Sequence, residues 1–351
     1  MSHQIETMTF LGMRAIIAST AMSRLFDTVR RIAPSNATVL IRGESGSGKE
    51  LIARALHHYS VRASKPWVDL SCAALPEHLV ESELFGYEKG AFSGANQMKQ
   101  GLFELASQGT LFLDEVAELE TKLQVKLLRV LDGNSYYRLG GTRKIEVDVR
   151  LVAATNQDLE QAIRMGTFRP DLYHRLAQIE IHVPPLRYRH DDIVPIANLF
   201  LLQQYPNMRF DEDAERFLRN YSWPGNVREL RNVVVKCAIM SDSNIIRGAD
   251  LPNELQCAPE RNCAGDDLFR LNSALTGSLT ISPLASAALT GGAMLEGMEK
   301  QMILKVLSET GGHQQRAAEK LGISRRTLTR KIKSYEMGMP AEASPGHQDS
   351  I

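Results

Sequence analysis

The sequence predicts an α/β fold: a parallel sheet covered by helices on both faces, then a small all-helical domain and a basic helix-turn-helix. Short apolar runs rich in β-branched residues alternate with helical stretches through the first half of the chain. That alternation needs a sheet buried on both sides. After Pro184-Pro185 strand character gives way to helical periodicity. Near the C-terminus helical spacing returns with a local excess of Lys and Arg.

Residues 37–42, ATVLIR, form the first strand, an apolar run carrying Thr38, Val39 and Ile41. A Gly-rich turn follows. The next stretch, GKELIARALHHYS, sets Leu51, Ile52, Ala55 and Leu56 on one face of a helix. Further strands are expected at 67–72, 110–115 and 147–156, separated by helical stretches such as KLQVKLLRVLD. Residues 21–33 are helical, and residues 191–255 are expected to be helical without a strand. The division is then 1–185 for the α/β part and 186–255 for a helical domain. Residues 256–292 are a linker rich in Ala, Gly, Ser and Thr. Residues 293–336 make a basic helical domain, and 337–351 a tail.

A chain of 351 residues accommodates two or three domains at about 100–200 residues each. With 43% hydrophobic and 23% charged residues, it is not a disordered tail, a collagen or a coiled coil. The 41 Lys plus Arg balance 41 Asp plus Glu, which excludes a uniformly basic protein but not a basic patch. No apolar run approaches the roughly 20 residues of a membrane helix. The start, MSHQIETMTF, has neither the basic nor the apolar part of a signal peptide. No membrane partner is expected, and a cytoplasmic location is. The four cysteines, Cys72, Cys237, Cys257 and Cys263, contain no Cys-x-x-Cys. They read as incidental thiols in a reducing compartment, with a metal or redox sensor built on Cys237, Cys257 and Cys263 as the lesser alternative.

The first strand runs into Gly43-Glu44-Ser45-Gly46-Ser47-Gly48-Lys49, followed by Glu50. The spacing is G-x-x-x-x-G-K between a strand and a helix, the context that makes it a phosphate loop. Glycines let backbone N–H groups converge on a phosphate, and the helix N-terminus adds its positive end. Lys49 reaches the outer phosphates. Glu50 stands where Ser or Thr ordinarily helps hold magnesium, so the metal leans on other ligands. Thr110-Leu-Phe-Leu-Asp114-Glu115 delivers two carboxylates to the same sheet edge. Asp114 suits a magnesium ligand, and Glu115 suits the orientation and deprotonation of an attacking water.

With Glu83-Leu-Phe-Gly-Tyr-Glu-Lys-Gly90-Ala91-Phe92-Ser93-Gly94-Ala95, the chain resembles the AAA+ domain of the bacterial enhancer-binding proteins, the activators of sigma-54 RNA polymerase. The resemblance spans residues ~15–255 and implies an AAA+ P-loop ATPase core with an all-α lid, using ATP and Mg2+. The family's GAFTGA loop grips sigma-54, so Gly90 to Ala95 are implied contacts with the sigma-54 holoenzyme. Ser93 keeps the hydroxyl and loses a methyl group. One exposed aromatic among small residues is a natural anchor. The resemblance further implies that Asn156 senses the γ-phosphate. It also implies that Arg169 and Arg175 act as arginine fingers from a neighbouring subunit of a ring, expected to be a hexamer. Arg228, in Trp223-Pro-Gly-Asn-Val-Arg-Glu-Leu, matches the second sensor. Gly140-Gly141 falls where the family has a second projecting loop. Ser71 stands where the family has an Asn that holds the catalytic glutamate, which implies looser gating of Glu115.

Within 311–335, residues 314–321 form a short helix, Gly322 turns the chain, and Ser324 caps a second helix. Leu328, Ile332 and Tyr335 share one face of it, and Arg326, Arg330 and Lys333 the opposite one. This is a helix-turn-helix with a basic recognition helix, similar to the Fis-type module that ends these activators. Ser324, Arg325, Arg326, Thr329, Arg330 and Lys333 are therefore candidate contacts to upstream double-stranded DNA. The segment holds seven basic residues and one acid, Glu319. The preceding helix, MLEGMEKQMILKVLSE, suits either a dimer face or a domain core.

Since residues 21–33 already belong to the ATPase, no N-terminal sensor domain is expected, and control would come from a trans-acting regulator, from expression level or from the core itself. The family reading implies transcription activation on the nucleoid. A DNA-binding regulator with a vestigial ATPase disagrees with the intact Lys49, Asp114 and Glu115, and a remodeller of some other protein disagrees with the helix-turn-helix. Replacing Arg326 by Ala is expected to weaken DNA binding. Binding titrations over a salt series then distinguish a base contact, lost with its sequence preference, from a phosphate contact, which lowers the salt slope by ~1 with preference unchanged.

Overall fold

The computed structural model describes residues 6–241 and 243–256, with Gln315 and Leu328 beyond them. Two short strands, β1 (Glu6–Phe10) and β2 (Met13–Ile17), pair antiparallel. Leu11 and Gly12 turn the chain between them at φ 47° and 81°, the positive angles a tight hairpin requires. Helix α1 (Thr20–Ile32) starts at Ser19, whose hydroxyl accepts the Met22 N–H. Then come β3 (Val39–Arg42), α2 (Lys49–His58), β4 (Trp67–Ser71), α3 (Glu77–Phe85) and the one-turn α4 (Leu102–Leu105). They are followed by β5 (Thr110–Asp114), α5 (Thr121–Gly133), β6 (Ser135–Tyr137), β7 (Lys144–Glu146) and β8 (Arg150–Thr155). The α/β part closes with α6 (Leu159–Arg164), α7 (Pro170–Leu176) and β9 (Ile179–His182). The remainder is α8 (His190–Gln204), β10 (Arg209–Phe210), α9 (Glu212–Asn220), α10 (Asn226–Met240), β11 (Ile245–Ile246) and α11 (Asn253–Gln256).

Strands β4, β5, β8, β3 and β9 form one sheet in that order, each pair parallel. Alternate residues of a strand face opposite sides, and both sides are apolar. Leu40, Leu111, Leu113, Leu151 and Ala153 join a core with Leu84 and Phe85 of α3, Leu127 of α5 and Leu172 of α7. Val39, Ile41, Phe112, Val152 and Ala154 join another with Phe26 of α1 and Ile52 and Leu56 of α2. The expected α/β class is therefore observed, with a fifth strand, β9, that the sequence pattern did not mark.

Helices α8 to α11 close around their own core of Ile193, Leu201, Leu218, Trp223, Leu230 and Val234. The expectation of no strand within 191–255 needs correction. Strands β10 and β11 pair in parallel over two residues each, Arg209 with Ile245 and Phe210 with Ile246. Such a pair closes the ends of α8 and α10 together and is too short to leave a periodic trace. No helix among the described residues is long and apolar enough to cross a membrane. The helix-turn-helix candidates Ser324, Arg325, Arg326, Thr329, Arg330 and Lys333, with Cys257, Cys263, residues 257–292 of the linker and the tail, lie outside the described residues.

The helical part is bonded to the start of the α/β part through Asp192, a fully buried carboxylate. It accepts from the Ala18 and Ser19 N–H groups at 2.8 and 2.7 Å and from the Ser19 hydroxyl at 2.7 Å. Asp192→Ala orphans all three donors at a site water does not reach. It is expected to cost about 2–4 kcal/mol, read as a lowered midpoint in denaturant unfolding, with Asp192→Asn costing less.

Candidate functional site

In a parallel sheet the loops after the strands gather at one edge, where ligands bind. Here β3 delivers the loop 43–48, β5 delivers Asp114 and Glu115, β8 delivers Asn156, and β4 ends at Ser71, in register with Asp114. Gly46 and Gly48 take φ values of 73° and 104°. A Cβ on Gly48 would meet nothing within 4 Å, and one on Gly46 would sit 2.6 Å from the Gly225 carbonyl. The first glycine leaves an open cradle at the head of α2, and the second permits the helical part to approach.

Lys49 is 6% exposed. Its ammonium donates to the Gly43 carbonyl at 3.1 Å and pairs with Glu115 Oε1 at 3.3 Å. Glu115 Oε2 accepts the Asn156 N–H at 3.1 Å. Glu115 itself adopts left-handed backbone angles, φ 52° and ψ 51°, at a cost of about 1–2 kcal/mol. Its N–H donates to Asp114 Oδ1 at 3.0 Å. Burial raises the Asp114 pKa, and the neighbouring Glu115 charge raises it further, against the opposing pull of Lys49. Two carboxylates and one ammonium thus share a small, half-buried volume. A cleft of about 330 Å³ beside them is lined by Arg42, Gly43, Thr155, Asn156, Asp158 and His182. The Ser47 hydroxyl is buried without a protein partner. An orphaned donor at the head of a helix, beside an open glycine cradle, fits a phosphate oxygen. No cluster of three metal-binding side chains occurs among the described residues, so a magnesium ion would rest on Asp114, phosphate oxygens and water.

The remaining sequence candidates divide. Arg228, on α10, donates to the Ser45 hydroxyl at 2.8 Å and so reaches the loop. Glu50 pairs with Arg54 one helical turn on. The Glu44 carboxylate faces the helical part, on Arg187 and Asn226. Arg169 pairs with Asp171 at 2.6 Å, and Arg175 with Asp132 at 3.2 Å and the Leu131 carbonyl at 2.9 Å. Both guanidiniums are exposed, and the structure does not bring them to the loop of their own chain. Three residues escaped the sequence reading. Arg187 and Arg189 follow Pro184-Pro185, and Asn226 sits inside the Trp223 motif. Only the side-chain bonds of the folded chain reveal them.

The segment Gly90 to Ala95 lies between α3 and α4. The Gly90 N–H donates to the Ala95 carbonyl at 2.8 Å and closes its neck. Gly90 and Gly94 take φ 84° and 107° with open space where a Cβ would stand. Phe92 is 47% exposed and sets its ring edge-on to Tyr87 at 4.9 Å. The loop between β6 and β7 supports it. Leu139 exchanges backbone hydrogen bonds with Gly86 and Glu88, and Gly140 is packed so closely that a Cβ would lie 2.9 Å from Ala91. Arg138 holds Glu88 at 2.8 Å and Glu104 at 2.5 Å.

Residues 15–182 match the sigma-54 interaction domain, residues 187–266 the AAA+ ATPase lid domain, and residues 294–335 the Fis family of bacterial regulatory proteins. The chain is 43% identical to the regulatory protein AtoC of Escherichia coli K12, over 95% of this chain and 70% of that protein. It is 44% identical to the DNA-binding transcriptional regulator NtrC of Proteus hauseri, over 91% and 68%. The crystal structure of Brucella abortus NtrX in complex with ATP superposes with a TM-score of 0.64 at 35% identity, over 92% of this chain and 70% of that one.

Two of the cysteines lie within the described residues, and both are buried. Burial pushes the Cys72 thiol up to about 12, with Asp114 and Glu115 adding to it, and the Cys237 thiol up to about 11. At pH 8 the Cys72 thiolate fraction is then only about one in ten thousand. In a Cys257→Ser, Cys263→Ser background, thiol-specific labelling at pH 8 is expected to be negligible in the folded chain and to reach two groups on unfolding.

Proposed function

The chain belongs to the family of sigma-54-dependent transcriptional activators, and from that premise we propose that it hydrolyses ATP to remodel the closed complex of sigma-54 RNA polymerase. The observation that carries the reading is the meeting of Lys49, Asp114, Glu115 and Asn156 at one sheet edge. Lys49 leaves the Gly43 carbonyl for the outer phosphates, which frees Glu115. The Glu115 carboxylate, oriented by the Asn156 N–H, accepts a proton from the attacking water. Asp114 would hold Mg2+, whose charge would offset that developing on the phosphate oxygens. The orphaned Ser47 hydroxyl and the cradle at Gly48 support nucleotide binding.

Arg169 and Arg175 are exposed and bonded within their own chain at α5 and α7. As arginine fingers they serve the site of an adjacent copy, so hydrolysis requires assembly into a ring, read as a hexamer. Residues 1–185 and 186–255 then act as core and lid, and 293–336 binds upstream DNA across the linker 256–292. Phe92 is the sigma-54 anchor, and Ser71, opposite Asp114, is a short substitute for the residue that ties Glu115 to that anchor.

The test is open-complex formation on a sigma-54 promoter with purified polymerase. It is expected with ATP and absent with a non-hydrolysable analogue. Glu115→Gln should bind ATP and lose about 10²–10⁴-fold in hydrolysis. Phe92→Ala should keep hydrolysis and lose promoter opening. Opening with the analogue, or unimpaired opening by Phe92→Ala, would overturn the proposal.

A further inference from the structure

Glu44 is an acid inside a loop built to hold phosphates, an electrostatic conflict unless something neutralises it. Arg187 does so. Its Nη1 and Nη2 donate to the two Glu44 carboxylate oxygens at 2.8 and 2.5 Å, a fork-on-fork pair. Asn226, 182 residues away, donates from Nδ2 to the same carboxylate at 3.1 Å and to the Ser45 carbonyl at 3.1 Å. Its Oδ1 accepts the Leu186 N–H at 2.7 Å. Asn226 is fully buried and held at φ 55°, a left-handed angle that Asn tolerates better than other side chains and that these bonds fix.

The grip extends along the loop. The Val227 N–H donates to the Gly46 carbonyl at 3.0 Å, and Arg228 to the Ser45 hydroxyl at 2.8 Å. Arg189, buried, donates to the Ser47 carbonyl. Glu44, Ser45, Gly46 and Ser47 are therefore each bonded to a residue of the 186–255 segment.

We propose that Glu44 and Arg187 form a charge latch that couples closure of the helical lid to nucleotide binding, with Asn226 as its hinge pin. The proposal rests on the reading of this loop as the ATP site. With the lid closed, Arg187 cancels the Glu44 charge and the loop accepts a polyphosphate. With the lid swung away, Glu44 stands uncompensated beside the phosphates and repels them. Nucleotide thus favours the closed lid, and the closed lid favours nucleotide by the same factor. Glu44 and Arg187 are positioning residues. The burial-opposed fall of the Glu44 pKa, driven first by Arg187, agrees with a standing negative charge to be neutralised.

The experiment is a double-mutant cycle on the full chain, reading the Kd of a fluorescent ADP analogue, with unfolding midpoints to verify folding. Arg187→Ala is expected to raise Kd about tenfold, less at high salt. In a Glu44→Gln background the same change should move Kd by less than about twofold, because no charge remains to expose. A merely structural ion pair predicts that Glu44→Gln alone weakens binding as much as Arg187→Ala does, whereas the latch predicts little loss in Glu44→Gln; a matching loss there, or no loss in Arg187→Ala, overturns the latch. If Arg187→Ala fails to fold, Arg187→Gln, which removes the charge and keeps a donor, carries the same cycle. Lys49→Ala should abolish binding. Unchanged binding there would overturn the ATP-site reading itself, whatever the cycle returns.

Discussion

One ion pair orders the edge of the sheet where the glycine-rich loop lies. Lys49 and Glu115 meet at 3.3 Å from two different strand ends, with the lysine almost wholly buried. For that meeting to occur, β3 and β5 must end at the same level with β8 between them, which the parallel order β4-β5-β8-β3-β9 secures. Breaking a pair with one buried member leaves an uncompensated charge in a poorly hydrated place. The apolar packing on both faces of the sheet and the left-handed turn at Glu115 both serve to hold that geometry.

Left-handed backbone recurs at the same edge. Among the non-glycine residues at positive φ, which also include Leu11, Gln108, Asn134 and Trp223, Glu115 and Asn226 stand against the loop. Glu115 is fixed by Lys49 and the Asn156 N–H, and Asn226 by Glu44, Ser45 and Leu186. Polar contacts of this kind are what hold a residue at a sparsely populated backbone angle. The helical part is thus tied to the loop by side chains and to the start of α1 by Asp192.

Much of this was legible in the amino-acid order. Strands β3, β5 and β8 announced themselves because burial on both faces demands continuous apolar runs, and Gly43 to Lys49 because phosphate chemistry tolerates few spacings. Strand β9, Ile179–His182, did not, since Glu180 and His182 interrupt it at the sheet's border. The β1–β2 hairpin was hidden by its turn, where Leu11 occupies an angle that ordinarily calls for Asn or Gly. The network of Arg187, Arg189 and Asn226 was invisible for a different reason. Its partners are more than 140 residues distant, and no local periodicity encodes a bond across that span.

The pairing of residues 86–91, at the root of the 90–95 loop, with the turn between β6 and β7 has a mechanical consequence. Two strips of backbone joined by paired amides, by the close fit of Gly140 on Ala91 and by the Arg138 clasp resist bending as a laminate does. A displacement imposed at the root, near Glu104 and the end of α3, is therefore delivered to the aromatic apex with little lost to flexure along the way.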